Sequence, residues 1–115
     1  MSESCIFCKI ACGSIPARIA YQDNEVVAFH DIAPQAPIHV VIIPRLHIST
    51  IDSIAMEHAQ LLARLIVAAQ TIAGTMGIRQ SGYRLVINHG LDGGQTVSHV
   101  HIHLLAGRAL DWPPG

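Results

Sequence analysis

Three histidines at alternate positions near the end of the chain are the residues best suited to do chemistry. They are His99, His101 and His103, and the residues between them are Val100 and Ile102. Successive side chains of a strand point to opposite faces, so this alternation predicts a strand with all three imidazoles on one face. Neighbouring imidazoles then start about 6–7 Å apart, which allows several rings to act on one small anionic group.

A glycine-rich turn immediately precedes the histidines, with the sequence Gly93-Gly94-Gln95-Thr96. Glycines let backbone N–H groups approach a ligand closely, and the two following side chains add an amide and a hydroxyl. We interpret the turn as a phosphate cradle that lies beside the row of imidazoles.

Two chemistries fit this pattern of residues. In the first, His99 and His101 bind a catalytic zinc ion together with a third ligand such as His39. In the second, a neutral imidazole attacks phosphorus directly, and its neighbours orient it and protonate the leaving group. Backbone anion donors favour the second chemistry, because a metal would otherwise do their work, but the residues alone leave both open.

Five strands and one long helix are predicted to position these residues. Apolar runs predict strands over residues 17–22, 26–31, 39–43 and 83–88, and the histidine strand is the fifth. Apolar periodicity predicts a long helix over residues 54–76, capped by Asp52 or Ser53 and ended by Gly77. A short helix is predicted over residues 6–11. Strands joined by short turns beside one long helix indicate an α+β fold with an antiparallel sheet.

The composition limits the class of protein. The 115 residues suit one domain over 1–115, and 50% are hydrophobic while only 13% are charged. So few charges, with a broad apolar stripe on the long helix, predict a homodimer. The net charge of −1 and the lack of a basic block argue against binding long nucleic acids. The absence of a signal segment or an apolar run of about 18 residues predicts a cytoplasmic protein without a membrane span.

The histidine strand and several other segments together resemble the histidine-triad superfamily, whose signature alternates three histidines with apolar residues. Matching segments occur in the expected order at residues 5–10, 28–32, 34–39, 43–48, 93–97 and 99–105. The ending Trp112-Pro113-Pro114-Gly115 resembles the Hint branch of that superfamily. The resemblance implies an α+β homodimer with one continuous sheet. It also implies hydrolysis of purine nucleoside 5′-phosphoramidates, with AMP, GMP or adenosine phosphoramidates as the ligands.

The resemblance also assigns roles at the site. His101 is the expected nucleophile, which attacks the α-phosphorus, expels the amine and leaves a nucleotidyl-histidine for water to cleave. His103 and Thr96 are expected near the transferred phosphate and the leaving group, and His39 is expected to support the triad. Many relatives have serine at the position of Thr96, and the hydroxyl group is kept here. The expected nucleotide contacts are Asp31 at the ribose; Phe29, Ile32 and Ile43 at the base; Asn88, Gly94 and Gln95 at the phosphate; and Trp112 at the partner's site.

The cysteines suggest a second site. Three of them, Cys5, Cys8 and Cys12, lie in the first dozen residues, and this odd cluster argues for a reducing compartment. The resemblance implies a structural zinc ion bound by Cys5, Cys8, His47 and His99, with no metal in the chemistry. Free buried thiols and a redox pair are the alternatives, although the βαβ unit that usually holds a redox pair is missing.

Two further functions are compatible with the sequence. One is hydrolysis of dinucleoside polyphosphates, the activity of another branch of the superfamily, against which the Trp-Pro-Pro-Gly ending argues. The other is binding of purine nucleotides without catalysis. A panel of phosphoramidate and dinucleotide substrates separates the two hydrolases, whereas adenosine binding with no turnover and no trapped phosphohistidine would indicate a binding protein.

Overall fold

A single five-stranded antiparallel sheet organises residues 4–115, the part of the chain that this computed structural model describes. The strands are β1 (Ile19–Gln22), β2 (Val26–His30), β3 (Ile38–Pro44), β4 (Tyr83–Val86) and β5 (Ile102–Ala106), in the spatial order β1-β2-β3-β5-β4. The helices are α1 (Ile6–Ala11), α2 (Ala59–Thr75) and α3 (Gly90–Gly93). This confirms the predicted α+β fold. Within residues 4–115, no helix is long and apolar enough to cross a membrane.

The central strands are buried on both faces, because a different helix covers each face. Val26 and Ala28 of β2 pack with α2 on one face. Val27 and Phe29 of the same strand pack with α1 on the other face. Burial of a Val or Phe side chain contributes about 1.5–3 kcal/mol relative to exposure, so the continuous apolar run of β2 stabilises both layers. The candidate site lies on the α1 face.

The long helix starts later than the sequence predicts. Residues 54–55 are extended, and two short 3₁₀ turns, Ile51–Ser53 and Met56–His58, precede α2. The prediction that Asp52 or Ser53 caps the helix is therefore wrong, since both residues belong to the first turn. His58 occupies the N-cap position without a side-chain cap bond. The predicted end is confirmed, because Gly77 follows the C-cap residue with a φ of 69°.

The predicted histidine strand is only partly formed. The ladder between β3 and β5 ends at the pair Ile42 and Ile102, so His99 and His101 precede the strand and only His103 lies in it. The expectation of one strand through all three histidines is therefore met only in part, although the rings of His101 and His103 still pack together with centroids 4.9 Å apart. The apolar half of the pattern is confirmed, because Val100, Ile102 and Leu104 are buried.

Smaller differences occur at other element ends. The strand predicted over residues 83–88 ends at Val86, and the strand predicted over 17–22 begins at Ile19. The loop after β4 contains the four-residue helix α3, which the sequence analysis missed. Periodicity cannot reveal so short a helix, because four residues make little more than one turn.

Candidate active site and metal centre

A cavity of about 700 Å³ lies on the α1 face of the sheet, within the usual size range of small-molecule sites. Its walls include His101 and His103 at one end and Ala17 and Arg18 at the other. The strand register places His103 opposite Val41, and Val41 opposite Phe29. At about 4.8 Å between strands, the floor from β5 to β2 is about 10 Å long. The cavity therefore runs across the strands, away from the histidines.

The ring of His101 is buried, and its orientation is defined by two contacts. Its Nδ1 lies 2.7 Å from the backbone carbonyl oxygen of His99. A carbonyl only accepts hydrogen bonds, so Nδ1 carries the proton and donates it, and the lone pair of the neutral ring is on Nε2. The ring of Phe7 packs edge-on against His101 with centroids 5.1 Å apart. The imidazole has the tautomer that a nucleophilic Nε2 requires.

A chain of hydrogen bonds fixes the tautomers of His39 and His103. The backbone N–H of Gln35 donates to His39 Nδ1 at 3.0 Å, so the proton of the neutral His39 ring is on Nε2. That N–H donates to His103 Nδ1 at 2.9 Å, which leaves His103 with its own proton on Nε2. The Asp31 carboxylate lies 3.5 Å from His39 Nε2. We call Asp31, His39, His101 and His103 the histidine network.

The electrostatics of the network favour neutral rings. Burial lowers the pKa of His39, and the Asp31 carboxylate partly opposes this shift. Burial lowers the pKa of His103 to about 4, the like charges of His101 and His39 reinforce the shift, and Asp31 opposes it. At neutral pH both rings are therefore uncharged, in agreement with the tautomers that their hydrogen bonds require.

Two cysteines and two further histidines meet beside the network, and we call Cys5, Cys8, His47 and His99 the thiol–histidine corner. Their ligand atoms all lie within 4.8 Å of one another. Cys8 Sγ lies 3.3 Å from His47 Nδ1 and 3.6 Å from His99 Nδ1. Cys5 Sγ lies 3.4 Å from His99 Nδ1, and the two histidine Nδ1 atoms are 3.2 Å apart. The corner joins α1 to the segment that precedes β5.

The donor set of the corner fits a structural zinc ion. Zinc bound tetrahedrally at about 2.3 Å to sulfur and 2.0–2.1 Å to nitrogen holds its ligand atoms about 3.3–3.8 Å apart. The ring of His99 also has the tautomer that metal binding requires. Its Nε2–H donates to the Pro44 carbonyl at 2.8 Å, which leaves the lone pair on Nδ1. Burial lowers the pKa of His99. The hydrogen bond to Pro44 opposes this shift, and the positive charges of His47 and His101 reinforce it. All four side chains can therefore bind a zinc ion together.

The alternative zinc site, with His39, His99 and His101 as ligands, is not assembled. His99 directs Nδ1 at the cysteines, whereas His39 directs Nε2 at His103. Asp31, His39 and His103 also lie within 4.8 Å of one another. In this cluster the Gln35 N–H keeps the proton of His39 on Nε2, the nitrogen that faces the other two residues. The cluster therefore forms a hydrogen-bond chain, because His39 has no lone pair there for a metal ion.

Some of the other predicted site residues line the cavity, and others lie outside its lining. Thr96, Phe29, Asp31 and Ile32 line the cavity together with the network histidines. Ile32 is fully exposed at its rim. Ile43 does not serve as a wall for a base, as expected from the resemblance, because it is completely buried in the packing layer beneath α1.

The residues expected at the phosphate lie outside the lining of this cavity, as does Trp112. The amide of Gln95 donates to the carbonyls of Ser49 and Val97 at 2.8 and 3.0 Å, so here it fixes the loop that contains Thr96. Trp112 is 81% exposed in the C-terminal segment. The roles given to Asn88, Gly94, Gln95 and Trp112 remain predictions.

Phe7 and the carbonyl of Pro44 are site elements that the sequence analysis missed. Phe7 touches the rings of both His99 and His101, at centroid distances of 6.0 and 5.1 Å. Its position between Cys5 and Cys8 was the available indication, because a residue between two metal ligands is held close to their site. The carbonyl of Pro44 had no indication in the sequence, since every residue has one.

Comparison with known proteins now places the chain in a family. The model of the HIT domain matches residues 13–110. An uncharacterized HIT-like protein of Synechococcus elongatus is 50% identical over 115 residues, which is 100% of both chains. The purine nucleoside phosphoramidase of Escherichia coli is 50% identical over 110 residues, which cover 96% of this chain and 92% of the relative.

A solved structure supports the same placement. The HIT family hydrolase of Legionella pneumophila superposes with a TM-score of 0.96 at 48% identity, covering 97% of this chain and 100% of that one. The chain belongs to the HIT domain family, as the resemblance of its motifs predicted.

Proposed function

We propose that this HIT protein is a nucleotide hydrolase that cleaves the P–N bond of purine nucleoside 5′-phosphoramidates. The observation that carries the proposal is the hydrogen bond from His101 Nδ1 to the His99 carbonyl at 2.7 Å. It leaves the lone pair of a neutral imidazole on Nε2, in a residue that lines the large cavity. The 50% identity to a purine nucleoside phosphoramidase supports the choice of substrate.

The reaction divides one displacement at phosphorus into two easier ones. His101 Nε2 forms a bond to the α-phosphorus while the P–N bond to the amine breaks, and the leaving nitrogen takes up a proton from solvent that the Thr96 hydroxyl relays. Water then attacks the phosphorus of the nucleotidyl-histidine, releases the nucleotide and restores the neutral imidazole. No step requires a metal ion, and we assign zinc only a structural role in the thiol–histidine corner.

The histidine network supplies hydrogen-bond donors to this reaction. His39 donates to His103 Nδ1, so the remaining N–H of His103 is on Nε2 and is available to a phosphate oxygen. Its pKa of about 4 keeps this donor neutral at pH 7. Thr96 lines the same cavity, and its hydroxyl is our candidate for a contact with the leaving nitrogen. The His103 donor is thus assigned to the phosphate and the Thr96 hydroxyl to the leaving nitrogen.

The remaining lining of the cavity suits a purine nucleoside. Val41 and Phe29 form an apolar floor that extends away from the histidines, as a base requires. Asp31 follows β2 directly and lines the same cavity, where its two oxygens can accept hydrogen bonds from the ribose hydroxyls. AMP, GMP and adenosine phosphoramidates are the ligands that we expect to bind.

We also propose that the protein is a homodimer. Strand β4 is an edge strand of the sheet, and Ile66 and Val67 of α2 are 39% and 53% exposed. Arg84 of β4 donates to the carbonyls of Leu110 and Asp111 and so fixes the segment that precedes Trp112. In the dimer, Trp112 reaches the partner's site. Sedimentation at micromolar concentration is the test, and a monomer would contradict the proposal.

The activity is tested by mixing the protein with adenosine 5′-phosphoramidate and quenching the reaction within milliseconds. We expect AMP and ammonia as products, and an adenylyl adduct located by mass spectrometry on the peptide that contains His101. Faster turnover of a dinucleoside polyphosphate would favour that hydrolase, and AMP binding without turnover or adduct would favour a binding protein. An adduct on any other residue would refute the assignment of the nucleophile.

A further inference from the structure

The nucleophile proposed for this site lies outside the regular hydrogen-bond ladder of the sheet. The ladder between β3 and β5 stops at Ile102, directly after His101. The preceding backbone is anchored instead on an irregular segment, because the N–H of Val100 donates to the carbonyl of Ile48 at 2.6 Å. The position of His101 therefore depends on contacts other than sheet pairing.

Those contacts lead to the thiol–histidine corner by three routes. The His99 carbonyl accepts the His101 Nδ1 proton at 2.7 Å, and the ring of His99 is itself one of the four corner side chains. Phe7 packs on the His101 ring and sits between Cys5 and Cys8 in the chain. Ile48, which anchors Val100, directly follows the corner residue His47. Each support of His101 is thus adjacent to a corner ligand.

We propose that the thiol–histidine corner, when it holds its metal, positions the His101 imidazole for attack, with His99 and Phe7 as positioning residues. This inference rests on the proposed function for its catalytic consequence. A shared metal ties α1 to the segment after β3 and to the segment before β5, and so fixes the carbonyl and the aromatic edge between which His101 is held. Metal binding and catalysis are coupled although no metal contacts the substrate.

The size of α1 explains why these ties matter. The helix has only six residues, which is too short to be stable by itself in water. It is held by apolar packing of Phe7, Cys8 and Ala11 and by the corner. Loss of the metal leaves the apolar contacts and the bond of His99 to Pro44 in place, but it removes the tie between α1 and the segments that contain His47 and His99. Catalysis is sensitive to such a change, because a misplacement of about 1 Å can cost about a hundredfold in rate.

The experiment compares the zinc-loaded protein with the same protein after chelation, using two measurements. Imidazole ¹H–¹⁵N spectra report the Nδ1–H of His101, which is assigned by its disappearance in His101→Asn. We expect a slowly exchanging Nδ1–H in the loaded protein and its broadening or loss without zinc. We expect kcat to fall about tenfold or more while KM changes less than about threefold, and zinc to restore both the signal and kcat.

Cys12→Ser is the matched control, because Cys12 is exposed and lies outside the corner. This variant should keep the zinc, the His101 signal and the turnover of the wild type. If chelation unfolds the protein, both measurements are repeated with sucrose added, since excluded osmolytes stabilise the folded state.

An unchanged His101 signal with unchanged kcat in folded, zinc-free protein would overturn the coupling and leave the corner a purely structural site. A zinc-dependent signal in a protein that never hydrolyses phosphoramidates would support the positioning and defeat the proposed function. The two proposals therefore fail by different observations.

Discussion

The thiol–histidine corner and the histidine network are built from the same residue type but are prepared for opposite tasks. His99 of the corner donates Nε2–H to the Pro44 carbonyl and presents the Nδ1 lone pair to the cysteines. His101 of the network donates Nδ1–H to the His99 carbonyl, which leaves its lone pair on Nε2 at the cavity. A single backbone carbonyl at one nitrogen thus decides that the other nitrogen keeps the lone pair, which suits His99 to the proposed metal binding and His101 to the proposed nucleophilic attack.

The largest effect is expected from a variant that lacks the proposed nucleophile and retains the corner. His101→Ala should reduce kcat/KM for adenosine 5′-phosphoramidate by at least about a thousandfold, because no other side chain replaces the lost Nε2. Its zinc content should equal that of the wild type, since His101 is not a corner residue. Steady-state kinetics and elemental analysis measure the two effects. Retained turnover would show that the network does not supply the nucleophile.

A smaller effect is expected from removing the tautomer control of His103. His39→Asn should lower kcat/KM about 10- to 100-fold, the usual cost of losing a supporting hydrogen bond behind a functional histidine. His58→Asn is the control, since His58 lies in the irregular turn before α2, where it accepts from the Ala55 N–H, and is not among the residues that line the candidate cavity. Equal kinetics in the two variants would contradict the chain of donors from Gln35 to His103.

The network should also make stability depend on pH. The unfolded chain protonates histidine near its ordinary pKa of about 6.5, whereas the pKa of folded His103 is about 4. Between these values the unfolded state binds more protons, so the free energy of unfolding must fall as the pH is lowered from about 6.5 towards 4. Urea unfolding of the wild type and of His103→Asn at pH 7, 6 and 5 measures the difference. Parallel curves for both proteins would contradict burial of a neutral ring.

The smallest effect is expected at Thr96. Thr96→Val should lower kcat about two- to tenfold, the cost of one neutral hydrogen bond, and more for poorly leaving amines than for good ones. Thr96→Ser keeps the hydroxyl and should retain wild-type kinetics. An equal loss for all amines would place the hydroxyl away from the leaving group.

The regular parts of the fold were predictable, because local patterns dictate them. The apolar runs of β2 and β3 and the periodicity of α2 identified the elements and the antiparallel sheet. The start of α2 was not predictable, because Asp52 is as good a cap residue as any and its turn is ended only by the extended residues 54–55. A propensity does not reveal which of several possible caps the tertiary structure uses.

The membership of the candidate site was largely predictable, but its internal division was not. Spacing brought attention to His99, His101 and His103, and the motif resemblance added Cys5 and Cys8. The spacing predicted one strand through all three histidines. In the structure the chain joins the β3–β5 ladder only after His101, and the ring of His99 points towards α1. The geometry of an irregular segment depends on distant partners such as Ile48 and Pro44.

The sequence alone was enough to assign the family, to predict the sheet with its covering helices, and to select the cysteines and histidines that meet at the candidate site. Only the tertiary structure decided which histidine nitrogen carries a proton and which carries a lone pair. The physical reason is that the two tautomers of an imidazole have similar energies in water. A carbonyl such as that of Pro44 or His99, delivered by folding from elsewhere in the chain or from two residues away, selects between them.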